Sequence, residues 1–325
     1  MKIEIVTPAP PRSRYGNRVT ALRWAGILKQ LGHRVSIEQE YGGANYDLLI
    51  ALHARRSHPS IKLFHTASPQ APIVVALTGT DLYRDLSRSR AAQESLELAT
   101  CIVVLQPKAL DELAPELRSK AVVIYQSAKR VRDGALARAR SRKGRKSERY
   151  LDVCVVGHLR PVKDPFRAAL AVRLLPASSQ ICILQVGGAM TTGMTTRARA
   201  EMKRNPRYRW LGEQTPGQVR SLLSRCWLGV LSSRMEGGAN VLSEAIVAGV
   251  PVLASRIPGS LGILGEDYPG YFAVGNTRGL ARLLERAEAE PDFFLELTRR
   301  CKQLATLFNP ARERQAWADL LKSLG

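Results

Sequence analysis

Short apolar runs alternate with longer amphipathic stretches along the whole chain. The runs "IEIV" (3–6), "RVSI" (34–37), "DLLIAL" (47–52), "IVVAL" (73–77), "CIVVL" (101–105) and "AVVIY" (121–125) read as strands. Between the first two, "NRVTALRWAGILKQLG" (17–32) carries apolar residues at helical spacing and ends on glycine, which predicts a helix. A second series holds "LDVCVV" (151–156), "QICILQV" (180–186), "RYRWLG" (207–212), "WLGVL" (227–231) and "VPVLAS" (250–255). Strands that alternate with helices imply right-handed βαβ units and parallel sheets. The two series therefore imply an α/β chain of two doubly wound, Rossmann-like domains in tandem. A last helix is predicted over 309–324, where "NPARERQAWADLLKSL" places a proline just inside its start. Its apolar stripe runs through Ala316, Trp317, Leu320, Leu321 and Leu324.

Length supports the same division, since 325 residues exceed one typical core. The expected boundaries are 1–127, a basic linker over 128–149, a second domain over 150–306 and the terminal helix over 307–325. The linker, "AKRVRDGALARARSRKGRKSER", is read as a solvated segment dispensable for chemistry. A tether for nucleic acid or lipid headgroups is the alternative, although no aromatic residue interleaves its cations before Tyr150. The formal net charge of +21 suits anionic partners and does not choose among nucleic acid, acidic membrane and phosphorylated metabolites. Five cysteines with no CxxC pair, mostly in apolar runs, argue against a metal site or a disulfide framework and for a reduced, cytoplasmic setting. The opening "MKIEIVTP" turns polar too soon for a signal peptide. No apolar run approaches the roughly 20 residues that span a bilayer.

In open parallel sheets, ligands bind beyond the carboxyl ends of the strands. One such loop is "RMEGG", between the "WLGVLSS" strand and a helix predicted to start near Ala239. Gly237 and Gly238 would let the backbone approach a ligand, and the N–H groups of Ala239, Asn240, Val241 and Leu242 would point at an anion. A carboxylate does not sit against a phosphate, so the acids of this stretch must face other parts of the ligand. Hydroxyl groups suit them. The arrangement suggests a sugar nucleotide, with diphosphate at the helix start, Glu236 toward the sugar and Glu244 toward the ribose. A second loop, "VVGHLRPVKDP" (155–165), supplies Arg160 and Lys163, which can neutralise a departing diphosphate. Two cations at a helix start oppose the dipole, which favours this reading over a solvated pair. His158 serves either as a donor to phosphate or as a loop residue. Leu211 and Gly212, which close "RYRWLG", complete the expected donor-binding set.

The E-x7-E pair, with "GHLRPVK" before it and "GVPVLAS" after it, resembles the donor domain of retaining-type GT-B glycosyltransferases, the large GT4-like family. The resemblance implies two Rossmann-like domains facing across a cleft. It also implies that Glu236 lies by the donor sugar, Glu244 binds ribose, and Arg160 with Lys163 holds the diphosphate. Glu236, Arg160 and Lys163 then form the catalytic set. The family's Gly-Arg is Gly157-His158 here, which displaces Arg160 by two positions and leaves Lys163 in place. In the first domain, "IEIVTPAPP", "GNRVTALRWA", "LGHRV", "ALHARRS", "VVALTGTDLYRDL" and "VVLQPKAL" resemble the selenosugar synthases of selenoneine biosynthesis. That resemblance covers nearly all of the chain outside the linker. It implies transfer of a sugar from UDP-N-acetylglucosamine, or UDP-glucose, to selenophosphate. No DxD-type carboxylate cluster is evident and Arg160 and Lys163 can take its electrostatic role, so no metal is expected, nor any cofactor.

The first domain offers residues for such an acceptor. "PAPPRSRYGNR" (8–18) is a proline-stiffened basic loop leading to a helix start at Gly16, with Arg12, Arg14 and Arg18 around it. Gly16, Asn17 and Arg18 are expected to hold the anion, together with Thr80 and Asp81 from "LTGTDLYRD". "HARRS" adds His53, Arg55 and Arg56. Blander roles stay open: His33 in the turn before a strand, His58 and His65 at the surface, and Asp81 as a helix cap. Two other readings also stay open, a glycan or lipid acceptor on the same fold and a basic nucleic-acid binder. The latter has no recognised motif or stacking platform.

Overall fold

The computed structural model describes residues 1–129 and 150–325; most of the stretch read as a linker lies outside the described residues. Two compact units divide the chain. The first holds Met1–Ser127, Glu236–Gly238 and Asn309–Gly325, and the second holds Ala128–Met235 and Ala239–Phe308.

The first unit is built on six parallel strands: β1 (Lys2–Val6), β2 (Arg34–Glu38), β3 (Leu48–Leu52), β4 (Ile73–Ala76), β5 (Cys101–Val104) and β6 (Ala121–Val123). Their order is β2-β1-β3-β4-β5-β6, so the winding direction switches between β1 and β3. Every residue of β3 is buried, as a central parallel strand covered on both faces requires. One face packs against the first helix, Gly16–Gln30, and the terminal helix, Pro310–Leu324. Trp24 and Trp317 meet there edge to face with centroids 4.9 Å apart. The anticipated stripe of Trp317, Leu320 and Leu321 is buried, with Ala316 and Leu324 packed beside it. Glu313 of the same helix is buried too, accepting from Trp24 Nε1 at 2.9 Å and from the Ser127 amide at 2.8 Å. Asn309 caps the helix, its side chain accepting from the Ala311 amide.

The second unit carries β7 (Leu151–Val156), β8 (Ile181–Val186), β9 (Tyr208–Trp210), β10 (Leu228–Leu231), β11 (Val252–Ser255) and β12 (Tyr271–Phe272). These strands are also parallel, in the order β12-β11-β10-β7-β8-β9, with the switch between β7 and β10. Both units are thus doubly wound, as the alternation of strands and helices implied. Strand β12 was not anticipated, because two residues show no periodicity. The run "RYRWLG" is strand only as far as Trp210, since Gly212 turns the chain with φ of 67°. All five cysteines are free and buried. Among the described residues, no helix is long and apolar enough to cross a membrane, and no group of three or more His, Cys, Asp and Glu could hold a metal ion.

Candidate functional site

In the second unit, the loops that follow β7, β8, β9 and β10 are joined at the carboxyl edge of the sheet. The Gly157 amide donates to Val186 O at 2.8 Å, the Leu159 amide to Gly188 O at 2.9 Å, and the Gly187 amide to Gly212 O at 2.8 Å. Gly187 has φ of 141°, and a Cβ there would lie 2.1 Å from the Gly157 carbonyl oxygen. Only glycine fits. The loop after β10 is tied in as well: the Arg234 amide donates to Val162 O at 2.8 Å, and Ser232 Oγ to Asp164 O at 2.9 Å.

These ties place the expected donor residues unequally. Lys163 ends a short 3-10 turn, Pro161–Lys163, and folds back so that its aliphatic stem passes 3.8 Å from where a Gly157 Cβ would be. It lines a small pocket with Gly157, Gln185, Ser232 and Ser233, at the β7/β10 switch point. Arg160 is exposed at the start of that turn and is not among the residues lining this pocket. His158 is half-buried, its Nδ1 beside Gly188, with the Glu213 side chain on the same glycine. Leu211 is exposed just past β9, and Gly212 accepts from Gly187. Asp164, in a left-handed conformation with φ of 42°, pairs with Arg167 at 2.9 Å. Gly187, Gly188 and Ser232 were missed by the sequence reading, although "QVGG" at a strand end was a legible signal.

The loop into the next helix departs from expectation in two respects. The helix spans Asn240–Val247 with Ala239 at its cap, but the Leu242 amide donates to Ala239 O at 2.8 Å. That amide is spent inside the first turn and does not serve an anion. Gly237 and Gly238 belong with the first unit, where their missing side chains make room for the chain itself. A Cβ on Gly237 would lie 2.5 Å from the Thr78 carbonyl carbon, and one on Gly238 would lie 2.6 Å from Leu105 Cβ. Glu236, Asn240, Val241 and Glu244 are half-buried.

In the first unit, β1, β3 and β4 deliver three loops to neighbouring positions on one edge. The loop after β1 turns at Arg12, whose φ is 64°, and enters the first helix at Gly16 behind Tyr15, with no side-chain cap and no acidic residue in the first turn. Arg18 lies in that first turn, with Asn17 before it. Its Nε and Nη1 are buried and have no hydrogen-bond partner among the described residues, and Ser13 Oγ is in the same state. The loop after β4 carries Thr80 and Asp81 into a π turn, Asp81–Asp85.

Asp81 corrects the sequence reading. It is fully buried, accepting from the Gly79 amide at 2.8 Å, the Thr78 amide at 3.0 Å and the Ala54 amide at 3.1 Å. A carboxylate so engaged binds the β3 and β4 loops together and is out of an acceptor's reach. Thr80 is half-buried, and its hydroxyl lies 3.2 Å from His53 Nε2. His53 is 3% exposed, with φ of 76°, and its Nδ1 accepts from the Arg56 amide at 3.3 Å. Burial holds its pKa below the ordinary imidazole range, against the pull of Asp81 and Asp85. Arg55 is engaged by Asp85 at 2.8 Å. His58 bridges Ser95 at 3.0 Å and Glu94 at 3.3 Å, which makes it a tie between helices.

Two doubly wound parallel domains, each with its loops gathered at a switch point, define a GT-B glycosyltransferase architecture. The chain belongs to the glycosyl transferases group 1 family, whose profile matches residues 138–307, more than half of its length. Among solved structures, HepE of Anabaena in complex with UDP-glucose superposes with a TM-score of 0.78 at 16% identity, covering 99% of this chain and 100% of that one. Sucrose-phosphate synthase of Thermosynechococcus elongatus gives 0.77 at 16% identity, over 99% and 98% of the two chains. The pneumococcal O-GlcNAc transferase GtfA, in complex with UDP and GlcNAc, gives 0.64 at 14% identity, over 93% and 59%. At these identities the likeness is one of fold. No curated protein matches the sequence.

Proposed function

We propose that this glycosyltransferase transfers the sugar of UDP-N-acetylglucosamine, or of UDP-glucose, to selenophosphate. Selenium attacks the anomeric carbon, the bond from that carbon to the diphosphate oxygen breaks, and UDP leaves. Water then cleaves the selenium–phosphorus bond, releasing phosphate and a 1-seleno sugar. A selenium nucleophile is already ionised, so the step needs no general base.

The donor is assigned to the loops that follow β7, β9 and β10. Lys163 at the switch point meets the negative charge that grows on the leaving diphosphate. Glu236 is assigned to the sugar and Glu244 to the ribose, and the exposed Leu211 offers an apolar face to the uracil. Arg160 keeps a secondary role because it is exposed. The UDP-glucose bound to HepE supports this choice of donor.

Arg18 carries the acceptor reading. A cation whose buried nitrogens have no partner among the described residues, beside an uncapped helix start, calls for an anion. A small phosphate-bearing nucleophile satisfies both at once. A reduced cytoplasmic setting suits the five free thiols. The test is mass spectrometry of products from each UDP-sugar with selenophosphate. A seleno sugar is expected; its absence, with transfer to a glycan instead, would overturn the acceptor.

A further inference from the structure

At the first unit's switch point, loop geometry does not explain the identity of His53. Its backbone sits at φ of 76°, a conformation that favours glycine or asparagine. Its Nδ1 accepts from the Arg56 amide at 3.3 Å, closing the turn after β3. An asparagine would meet both demands, since it tolerates the left-handed region and offers an oxygen near the place of Nδ1. What only the longer ring supplies is Nε2, which lies 3.2 Å from Thr80 Oγ1 and 3.9 Å from Asp85 Oδ2. With Nδ1 accepting, the proton of the neutral ring is on Nε2 and is donated to the nearer oxygen, that of Thr80. The hydroxyl of Thr80 is then filled as an acceptor, and its own proton must be donated elsewhere. Asp81, one residue on, is committed to backbone amides, whereas the half-buried Thr80 hydroxyl is able to donate outward.

We propose that His53 is a positioning residue that fixes the Thr80 hydroxyl as a hydrogen-bond donor to the phosphate oxygens of the acceptor. This rests on the acceptor reading above and adds to it a group that touches no substrate. Strain retained at a buried position is the expected mark of such a role.

The test compares wild type with His53→Asn, His53→Gln, Thr80→Val and the His53→Asn/Thr80→Val pair, each checked for folding by thermal melting. Inorganic phosphate binding is titrated by calorimetry, and UDP binding serves as the control. His53→Asn and Thr80→Val should each weaken phosphate about tenfold, the size of one charge-assisted hydrogen bond. The pair should lose no more than Thr80→Val alone, and UDP affinity should not move. His53→Gln, whose amide reaches toward the place of Nε2, should recover most of the loss. Should His53→Asn not fold, the wild-type ring decides: its 15N shifts should show a protonated Nε2 and a bare Nδ1 at neutral pH. The opposite tautomer, wild-type phosphate affinity in His53→Asn, multiplying losses in the pair, or no phosphate binding by wild type would each overturn the proposal. Failure of wild type to make a seleno sugar from selenophosphate would count against the named acceptor alone, because the phosphate titration does not depend on turnover.

Discussion

The carboxyl edges of the two sheets are held by different means. In the second unit, loop is bound to loop through the backbone, with Gly157, Gly187, Gly188 and Gly212 all taking part. In the first unit the work falls to buried side chains: Asp81 gathers three amides, and Asp85 lies against Arg55 and Arg84. A backbone cradle needs space, and glycine supplies it. A carboxylate clasp is buried, and the cost of desolvating the acid is offset by the amides and cations that its oxygens engage. The difference leaves cations in different states. Lys163 is folded against its own loop, whereas two buried nitrogens of Arg18 have no hydrogen-bond partner among the described residues.

The cradle breaks most easily at Gly187. A Cβ 2.1 Å from the Gly157 oxygen, on a residue with φ of 141°, must push β7 and β8 loops apart. Overpacking and backbone strain together should cost Gly187→Ala about 4 kcal/mol of stability, read by urea unfolding. Gly212→Ala is the internal control: φ is 67°, but among the described residues nothing lies within 4 Å of where its Cβ would be. It should lose about 1 kcal/mol. Equal losses at the two sites would mean that the close approach does not hold the cradle.

Lys163→Ala should lower kcat about 100-fold with little change in UDP affinity, because the charge it meets develops as the bond breaks. Stopped-time assays at saturating donor measure this. A loss confined to KM would place Lys163 in ground-state binding and remove it from the catalytic set.

The first unit has its own weak point in Glu4 of β1. It is 2% exposed, one carboxylate oxygen has no hydrogen-bond partner among the described residues, and its pKa is raised to about 7 by burial first and by Glu38 second. The protonated form is therefore the one the fold accepts. Below pH 4.5 both folded and unfolded chains hold the proton, and stability is full. Between pH 4.5 and about 7 the unfolded chain ionises while the folded one does not, so stability falls as pH rises, and it levels off above. The drop should be on the order of 2 kcal/mol. Glu4→Gln should abolish that slope and raise stability at pH 8. A wild-type profile flat from pH 5 to 8 would contradict this account.

Much of the fold is legible because strands of a parallel sheet are short apolar runs, and eleven of the twelve described strands lie in such runs. Glycine-dependent features were half legible. Gly237 and Gly238 signalled a close approach, but the sequence could not say whether ligand or chain would fill the space, and Thr78 and Leu105 fill it. Buried acids were the least legible. Asp81 and Glu313 look like surface residues in any window, because the amides that satisfy them come from remote segments: Ala54 for the one, Ser127 for the other. The chemistry of His53 is legible in the sequence, but its backbone angle and two nitrogen partners give it a place.

The smallest effects sharpen the comparison most, because they separate the two edges by ligand. Glu244 is assigned to the ribose, a contact made equally in the ground and transition states, so Glu244→Ala should raise KM for the UDP-sugar about tenfold and leave kcat nearly intact. Arg18 is assigned to the acceptor's phosphate. Arg18→Ala should raise KM for selenophosphate about tenfold or somewhat more, the value of one charge-assisted hydrogen bond, and UDP affinity should stay as it was. The two variants should therefore show opposite patterns in calorimetry with UDP and in acceptor titrations. Inorganic phosphate should compete with selenophosphate and not with the UDP-sugar, and Arg18→Ala should blunt that competition. If Arg18→Ala kept wild-type acceptor kinetics, Arg18 would leave the anion site, which would then rest on Thr80 and the "HARRS" loop. If it weakened UDP instead, the division of labour between the units would be wrong.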